Sequence, residues 1–346
     1  MKHVSNARNN SIKAIGILFF IVTMIITQTG CNSNKEPVSE EGYYLDTVCQ
    51  LTVYDMKGGL DEKKAKKAID AAFDLCRQLD KTLSNTVEAS DISKINNAGS
   101  RWVEVSDDAV TVIKAGIEYG KLSEGAFDIT IGGVTSLWNF HSDNPTLPDA
   151  AVLNEALTHV NYKNIEVDGN KVRVLDPKAK IDLGGIAKGY IGDRLADKLK
   201  ELGVTSGIVN LGGNVITIDG KPDGSDFIVG IEKPFSDHSD TVGSTKVKEK
   251  TVVTSGVYER QFEKDGVLYY HVLDARTGYP VKTDLDSASL VMEYGHSMDA
   301  DALSTICLMK GSKSALEFMD SREDIKGILC LHDGNIFKSK GMKLDK

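Results

Sequence analysis

With 346 residues, 41% hydrophobic and 26% charged, the chain has the composition of a globular protein of one large or two ordinary domains. Its net charge is −9, or −12 once the three basic residues among the first thirty are set aside, a stretch with no acidic residue. So acidic a chain excludes a general nucleic-acid binder, which needs a basic face, but not a nucleotide whose phosphates a metal ion neutralises.

Lys2, Arg8 and Lys13 precede an apolar run from Ala14 to Ile26. That run is shorter than the roughly 20 residues of a membrane-spanning helix and has the layout of a secretory signal. It closes on Thr27-Gln28-Thr29-Gly30-Cys31, where a cysteine after a small residue resembles the bacterial lipobox, with Gln28 in a place usually aliphatic. Residues 1–30 are therefore expected to be a lipoprotein signal peptide. Cys31 would be the lipidated first residue of a protein anchored to the bacterial cell membrane on its extracytoplasmic side. Plain cleavage or an uncleaved anchor is the alternative, and each leaves the globular part outside the cytoplasm. Residues 31–42, short, polar and acidic, read as a tether.

From Tyr43 to Asp55 the pattern is that of a strand, and Asp61 to Leu83 reads as a helix with Ala65, Ile69, Phe73, Cys76 and Leu79 on one face. Ser106 can cap a helix carrying Val110, Ile113 and Ile117. Asn161 to Pro177 alternates like a hairpin around Asp168-Gly169. In Ile181–Val215 a strand is expected to break at Gly184-Gly185. It then re-enters as a helix burying Ile186, Tyr190, Ile191, Leu195, Leu199 and Leu202, followed by a strand to Asn210. Phe227–Glu232 reads as a strand, Ser236–Lys250 as a loop, and Thr251–Asp274 as strands turning at Asp265-Gly266. Asp286–Glu293 is a strand, Asp299–Met309 a helix, and Gly327–Lys338 a hairpin around Asp333-Gly334. Hairpins outnumber helix crossovers, so residues 43–344 are expected to be one large α+β domain with a mostly antiparallel sheet and packed helices. Cys49, Cys76, Cys307 and Cys330 form no CxxC pair and sit in apolar contexts. Buried free thiols are expected, with a disulfide the alternative outside the cytoplasm.

Several polar groups interrupt this patterning. Asp301 and Thr305, four apart on one helix, share a face with Cβ atoms about 5–6 Å apart. Together they offer hard oxygen ligands for Mg²⁺, whereas an acid near a helix start ordinarily serves the dipole. His271 is a candidate base or phosphate contact, beside a turn that Asp274 and Arg276 can fix. Thr254-Ser255-Gly256 offers hydroxyls with no adjacent base. The glycine break before a helix at Gly184-Gly185 suits phosphate, yet Gly184 to Gly189 fits neither GxxxxGK[ST] nor GxGxxG. A P-loop ATPase and a Rossmann dehydrogenase are both disfavoured.

The ordered motifs resemble the ApbE-type flavin transferases. They are Leu45-Asp46-Thr47 (Met-Gly-Thr is usual), Ser90-Asp91-Ile92-Ser93-Lys94-Ile95-Asn96, Gly125-Ala126-Phe127-Asp128-Ile129-Thr130 with Trp138, and Asp182 to Tyr190. Next come Val209-Asn210-Leu211-Gly212-Gly213, Gly230 to Pro234, Thr254 to Arg260, His271 to Pro280, and Asp301-Ala302-Leu303-Ser304-Thr305. The resemblance implies a T-fold-related domain that moves FMN from FAD, with Mg²⁺, to a threonine of an extracytoplasmic redox or electron-transfer protein, releasing AMP. It implies metal ligands at Asp301, Thr305 and the carbonyl of Gly185. FAD would be held by Leu45, Thr86 (often aromatic in the family), Ala126, Phe127, Asp128, Asp182, Lys188, His271, Val272 and Leu273. His271 is the expected base, with Asp182 as its rival. An FAD pyrophosphatase releasing FMN and AMP, or a non-catalytic flavin-binding lipoprotein, is the alternative.

Overall fold

The computed structural model describes residues 35–140, 142, 144–236 and 240–346. Cys31, the signal segment and His141 lie outside these residues. Strands β1 (Val38–Tyr44) and β2 (Thr47–Met56) form an antiparallel hairpin, with Val38 opposite Val53. Its turn is Leu45-Asp46, both at positive φ of 55° and 56°, the conformation a two-residue hairpin needs and glycine adopts most easily. β1 takes in residues assigned by composition to the tether. It is an edge strand with Val38 as its one buried residue, so it carries no alternation for a sequence to display.

Helix α1 (Glu62–Leu83) is capped by Asp61, whose side chain accepts from the Lys64 N–H, and buries the predicted face. The short α2 (Asp91–Asn96) is capped by Ser90. After β3 (Val103–Glu104), α3 (Asp107–Leu122) starts at Ser106, which accepts the Ala109 N–H as the sequence implies. There follow α4 (Gly132–Trp138), α5 (Ala150–Leu157), β4 (Ile165–Asp168) and β5 (Lys171–Val174). The β4–β5 turn is Gly169-Asn170, one residue later than expected, and β3, β5 and β4 make a small sheet. Ahead of α6 (Ala187–Glu201) the expected strand reduces to a single bridge between Lys180 and Ile131. Leu202 closes α6 at its exposed C-cap instead of joining the buried face.

The remaining elements are β6 (Val204–Leu211), β7 (Asn214–Ile218), β8 (Phe227–Glu232), β9 (Thr241–Val247), β10 (Lys250–Gly256), β11 (Gln261–Lys264), β12 (Val267–Tyr270), β13 (Leu285–Glu293), α7 (Ser297–Asp320), β14 (Lys326–Leu331) and β15 (Ile336–Lys338). β9 corrects the loop expected over Ser236–Lys250. Its buried residues, Gly243, Thr245 and Val247, alternate properly, but two of the three are not hydrophobic, so their period of two is masked. Eight strands form one sheet in the order β1-β2-β6-β7-β10-β13-β14-β15, antiparallel throughout. α1, α6 and α7 cover one face over a core that includes Leu51, Ile69, Ile191, Leu195, Leu290 and Ile306. The β8–β9 hairpin covers part of the other through Phe227, Ile231 and Val247 against Val252 and Ile328. The four cysteines are buried and unbridged. Among the described residues no helix is long and apolar enough to cross a membrane.

Candidate active site

Helices α6 and α7 cap each other. Ile186 and His296 occupy their N-cap positions, and neither makes a side-chain capping bond. Instead the Gly189 N–H of α6 donates to Oδ2 of Asp301 on α7 at 2.8 Å. In return the Ser297 and Met298 N–H groups of α7 donate to the two carboxylate oxygens of Asp193 on α6, at 3.1 and 3.0 Å. A carboxylate at a helix N-terminus satisfies orphan donors and meets the positive end of the dipole. The helices approach this closely because Gly189 has no side chain: a methyl group there would collide with the Ser297 carbonyl. Asp301 is thereby fixed against the first turn of α6.

Asp301 is 4% exposed. Burial pushes its carboxyl pKa up, opposed by the Lys188 ammonium, the Gly189 N–H and the Asn214 amide. Thr305 Oγ1 lies 3.0 Å from Ser255 Oγ, which is also 2.7 Å from Ser304 Oγ. The Thr254-Ser255-Gly256 segment thus brings its central hydroxyl to Thr305, a placement the sequence did not reveal. One carboxylate and adjacent hydroxyls are hard donors of the kind Mg²⁺ uses when substrate phosphates and water complete its shell. Among the described residues no three His, Cys, Asp or Glu side chains gather as a metal cluster. The donor chemistry therefore fits a shared Mg²⁺–phosphate site better than an all-protein cage.

Asp182 shapes the glycine loop. Its Oδ1 accepts the Gly184 N–H at 2.9 Å and its Oδ2 accepts the Thr135 hydroxyl at 2.7 Å, while its own N–H donates to the Ile129 carbonyl at 2.7 Å. Phe127 lies beneath this loop, where a Cβ on Gly185 would come within 2.9 Å of its ring. Asp128 is equally committed: it accepts from the N–H and hydroxyl of Thr130 at 2.8 and 2.7 Å and from the Tyr162 N–H at 2.7 Å. Burial raises its pKa. An open cleft of about 400 Å³ beside it is lined by Gly125, Tyr162, Lys163, Ala275 and Arg276.

The remaining expected residues connect through backbone contacts. The Ala275 N–H donates to the Ala126 carbonyl at 3.0 Å, and the Val281 N–H to the Val272 carbonyl at 2.9 Å. Leu273 is buried with Val134, Trp138 and Leu153, and Asp274 holds Arg276 through two charge-assisted bonds of 2.9 and 2.6 Å, the turn chemistry expected. His271 follows β12 instead of lying within a strand, and its N–H donates to the Arg260 carbonyl at 3.0 Å. Arg260 pairs at 3.9 Å with Asp46, which brings the Leu45-Asp46 turn to the histidine segment. Thr47, next along, packs against Gly212. Thr86 is exposed and bonds Ser84 in the loop after α1. Sequence reasoning missed Asp193, Asn214 and Thr135, and it noted the Ser255 hydroxyl without its contact to Thr305. Their one advance signal is that Asn214 and Ser255 adjoin or lie within recognisable motifs.

The α+β fold thus sets a buried carboxylate against the N-terminal turn of a helix that follows a glycine pair, an arrangement able to meet a phosphate-bearing substrate. Residues 45–329 match the model of the ApbE family. The FAD:protein FMN transferase of Klebsiella pneumoniae (strain 342) is 32% identical over 275 residues, 79% of this chain and 84% of its own. That of Treponema pallidum is 28% identical over 344 residues, covering 95% and 93%. The crystal structure of the ApbE protein of Thermotoga maritima superposes with a TM-score of 0.80 at 31% identity, over 88% of this chain and 97% of that one. The chain belongs to the ApbE family.

Proposed function

We propose that this enzyme is an FAD:protein FMN transferase that uses Mg²⁺ and modifies a threonine of an extracytoplasmic protein. The observation that carries this reading is the reciprocal cap of α6 and α7, which holds Asp301 beside Lys188 and the Ser255–Thr305 hydroxyls. Asp301, Thr305 and the Gly185 carbonyl would hold Mg²⁺. When bound, that ion supplies Lewis-acid stabilisation of charge on the pyrophosphate. Lys188 adds a fixed positive charge for the same phosphates. The acceptor hydroxyl attacks the FMN phosphorus, the P–O bond to AMP breaks, and His271 takes the hydroxyl proton. Both Asp182 oxygens already accept hydrogen bonds, so its part is to hold the glycine loop, and His271 is the better base. Asp128 likewise shapes its loop, leaving Ala126, Phe127, Leu45, Thr86 and Leu273 to contact FAD. Lipidation of Cys31 would keep the enzyme at the membrane surface, where its protein partner is met.

The test is incubation of the purified protein with FAD, Mg²⁺ and a threonine-bearing acceptor. In-gel flavin fluorescence on the acceptor, lost on Thr→Val replacement of the acceptor residue, is the expected result. Free FMN and AMP with no labelled acceptor would overturn transfer in favour of hydrolysis.

A further inference from the structure

Asn214 opens β7, opposite Leu211 across the β6–β7 turn, two residues beyond the Gly212 that packs against Thr47. Its side chain is fully buried, at 0% exposure. Neither its Nδ2 nor its Oδ1 has a hydrogen-bond partner of normal geometry, yet the amide lies close enough to Asp301 to favour the charged carboxylate. A second orphan, Ser297 Oγ, is buried nearby against the contact between Gly192 and α7. Buried polar groups are paired almost everywhere in folded proteins, because an unpaired one forfeits its bonds to water. A leucine would fill the position without that loss. A buried carboxamide whose amide faces the one carboxylate of a ligand set, and whose Oδ1 meets no donor, indicates that the missing partner arrives with the ligand.

We propose that Asn214 is a positioning residue for the cation site: its Nδ2–H donor steadies the Asp301 carboxylate, and its Oδ1 accepts from water in the ion's hydration shell. This inference rests on the reading of Asp301 as a metal ligand. A neutral amide suits the task. It supplies a donor to a carboxylate whose other contacts, the Gly189 N–H and Lys188, are already fixed, and it adds no second negative charge to the pocket. Partners of this kind orient ligands, and their loss typically weakens metal binding about 10–100-fold.

The experiment is a Mn²⁺ titration of the metal-free full chain, followed by electron paramagnetic resonance, for wild type, Asn214→Leu, Asn214→Ala and Asp301→Ala. Asn214→Leu is expected to weaken Mn²⁺ binding at least about tenfold, while its melting temperature without metal holds or rises. Asn214→Ala should lose less, since water entering the space can replace the amide, and it carries the comparison if the leucine variant does not fold. In turnover assays the apparent KM for Mg²⁺ should rise while that for FAD stays put, a split that a packing role would not produce. Mn²⁺ binding by both variants within twofold of wild type overturns the role of Asn214 alone. Wild-type binding that Asp301→Ala fails to reduce overturns the metal reading of Asp301, and the inference with it.

Discussion

At the scale of single residues, the site divides into groups that hold the loops and groups left to meet the substrate. Asp182 and Asp128 belong to the first kind, since each carboxylate already accepts from backbone N–H and hydroxyl donors. His271 is proposed for the second, as the general base. His271→Ala is expected to lower kcat by about 10²–10⁴-fold, the usual range for general-base loss, with FAD affinity nearly unchanged. Near-normal turnover in that variant, measured beside FAD binding by fluorescence, would remove the assignment. Gly185 adds a steric test. Its Cβ would sit 2.9 Å from the Phe127 ring, so Gly185→Ala should displace the loop and reduce turnover. Phe127→Leu makes room for the methyl group, so Gly185→Ala should cost less turnover in that background than in wild type; an equal cost in both backgrounds would refute the steric cause. Asp301 and Thr305 stand out in the sequence because a helix places residues four apart on one face, and Lys188 because it falls in a motif that resembles the family's. The sequence could not show that Ser255 and Asn214 reach the same place from separate strands of the sheet. Contacts between residues so far apart in the chain leave no local periodicity.

At the scale of elements, the exchange of caps between α6 and α7 is the device that positions the chemistry, and it can be tested from both ends. Gly189→Ala puts a methyl group against the Ser297 backbone, so destabilisation of at least about 2 kcal/mol is expected, read from urea unfolding. Stability equal to wild type would show that the helices can part without loss. Asp193 offers a pH test. Burial pushes its carboxyl up to about 6 despite the two backbone donors, with Asp299 and Asp197 adding to the rise. An unfolded aspartate titrates near about 3.9. Between those values the folded protein holds a proton that the unfolded chain has released, so this group's contribution makes stability fall as pH rises through the window. Asp193→Asn lacks that slope. The melting temperature of wild type relative to the variant should therefore be highest near pH 4 and decline towards pH 7; a difference that grows with pH would contradict the assignment. Helices were the readable elements: α1 and α3 announce themselves by apolar spacing and by Asp61 and Ser106 as caps. β1 and β9 were hidden because an edge strand and a strand burying glycine and threonine show no hydrophobic alternation.

At the scale of the whole molecule, the sheet stands between a helical layer and the β8–β9 hairpin, and the site gathers on the helical side, where the α6 and α7 N-termini meet the β6–β7 turn and the end of β10. Glu36–Lys346 form one compact unit. Every proposed FAD and metal residue falls within it, and the expected task of the preceding segment is attachment. These two roles separate cleanly in one experiment. Cys31→Ser removes the thiol that lipidation requires, and the variant is expected to leave the membrane fraction for the soluble one on cell fractionation. The same protein, purified and assayed with FAD, Mg²⁺ and a soluble acceptor, should turn over within about twofold of wild type, the scatter ordinary for substitutions remote from a site. Flavin attachment to a membrane-bound acceptor in cells should nevertheless fall, because a tether works by raising the effective concentration of the two partners. A Cys31→Ser protein that still fractionates with membranes would show that attachment comes from elsewhere in the chain. A soluble variant with lost in vitro turnover would show that the anchor and the catalytic unit are not independent.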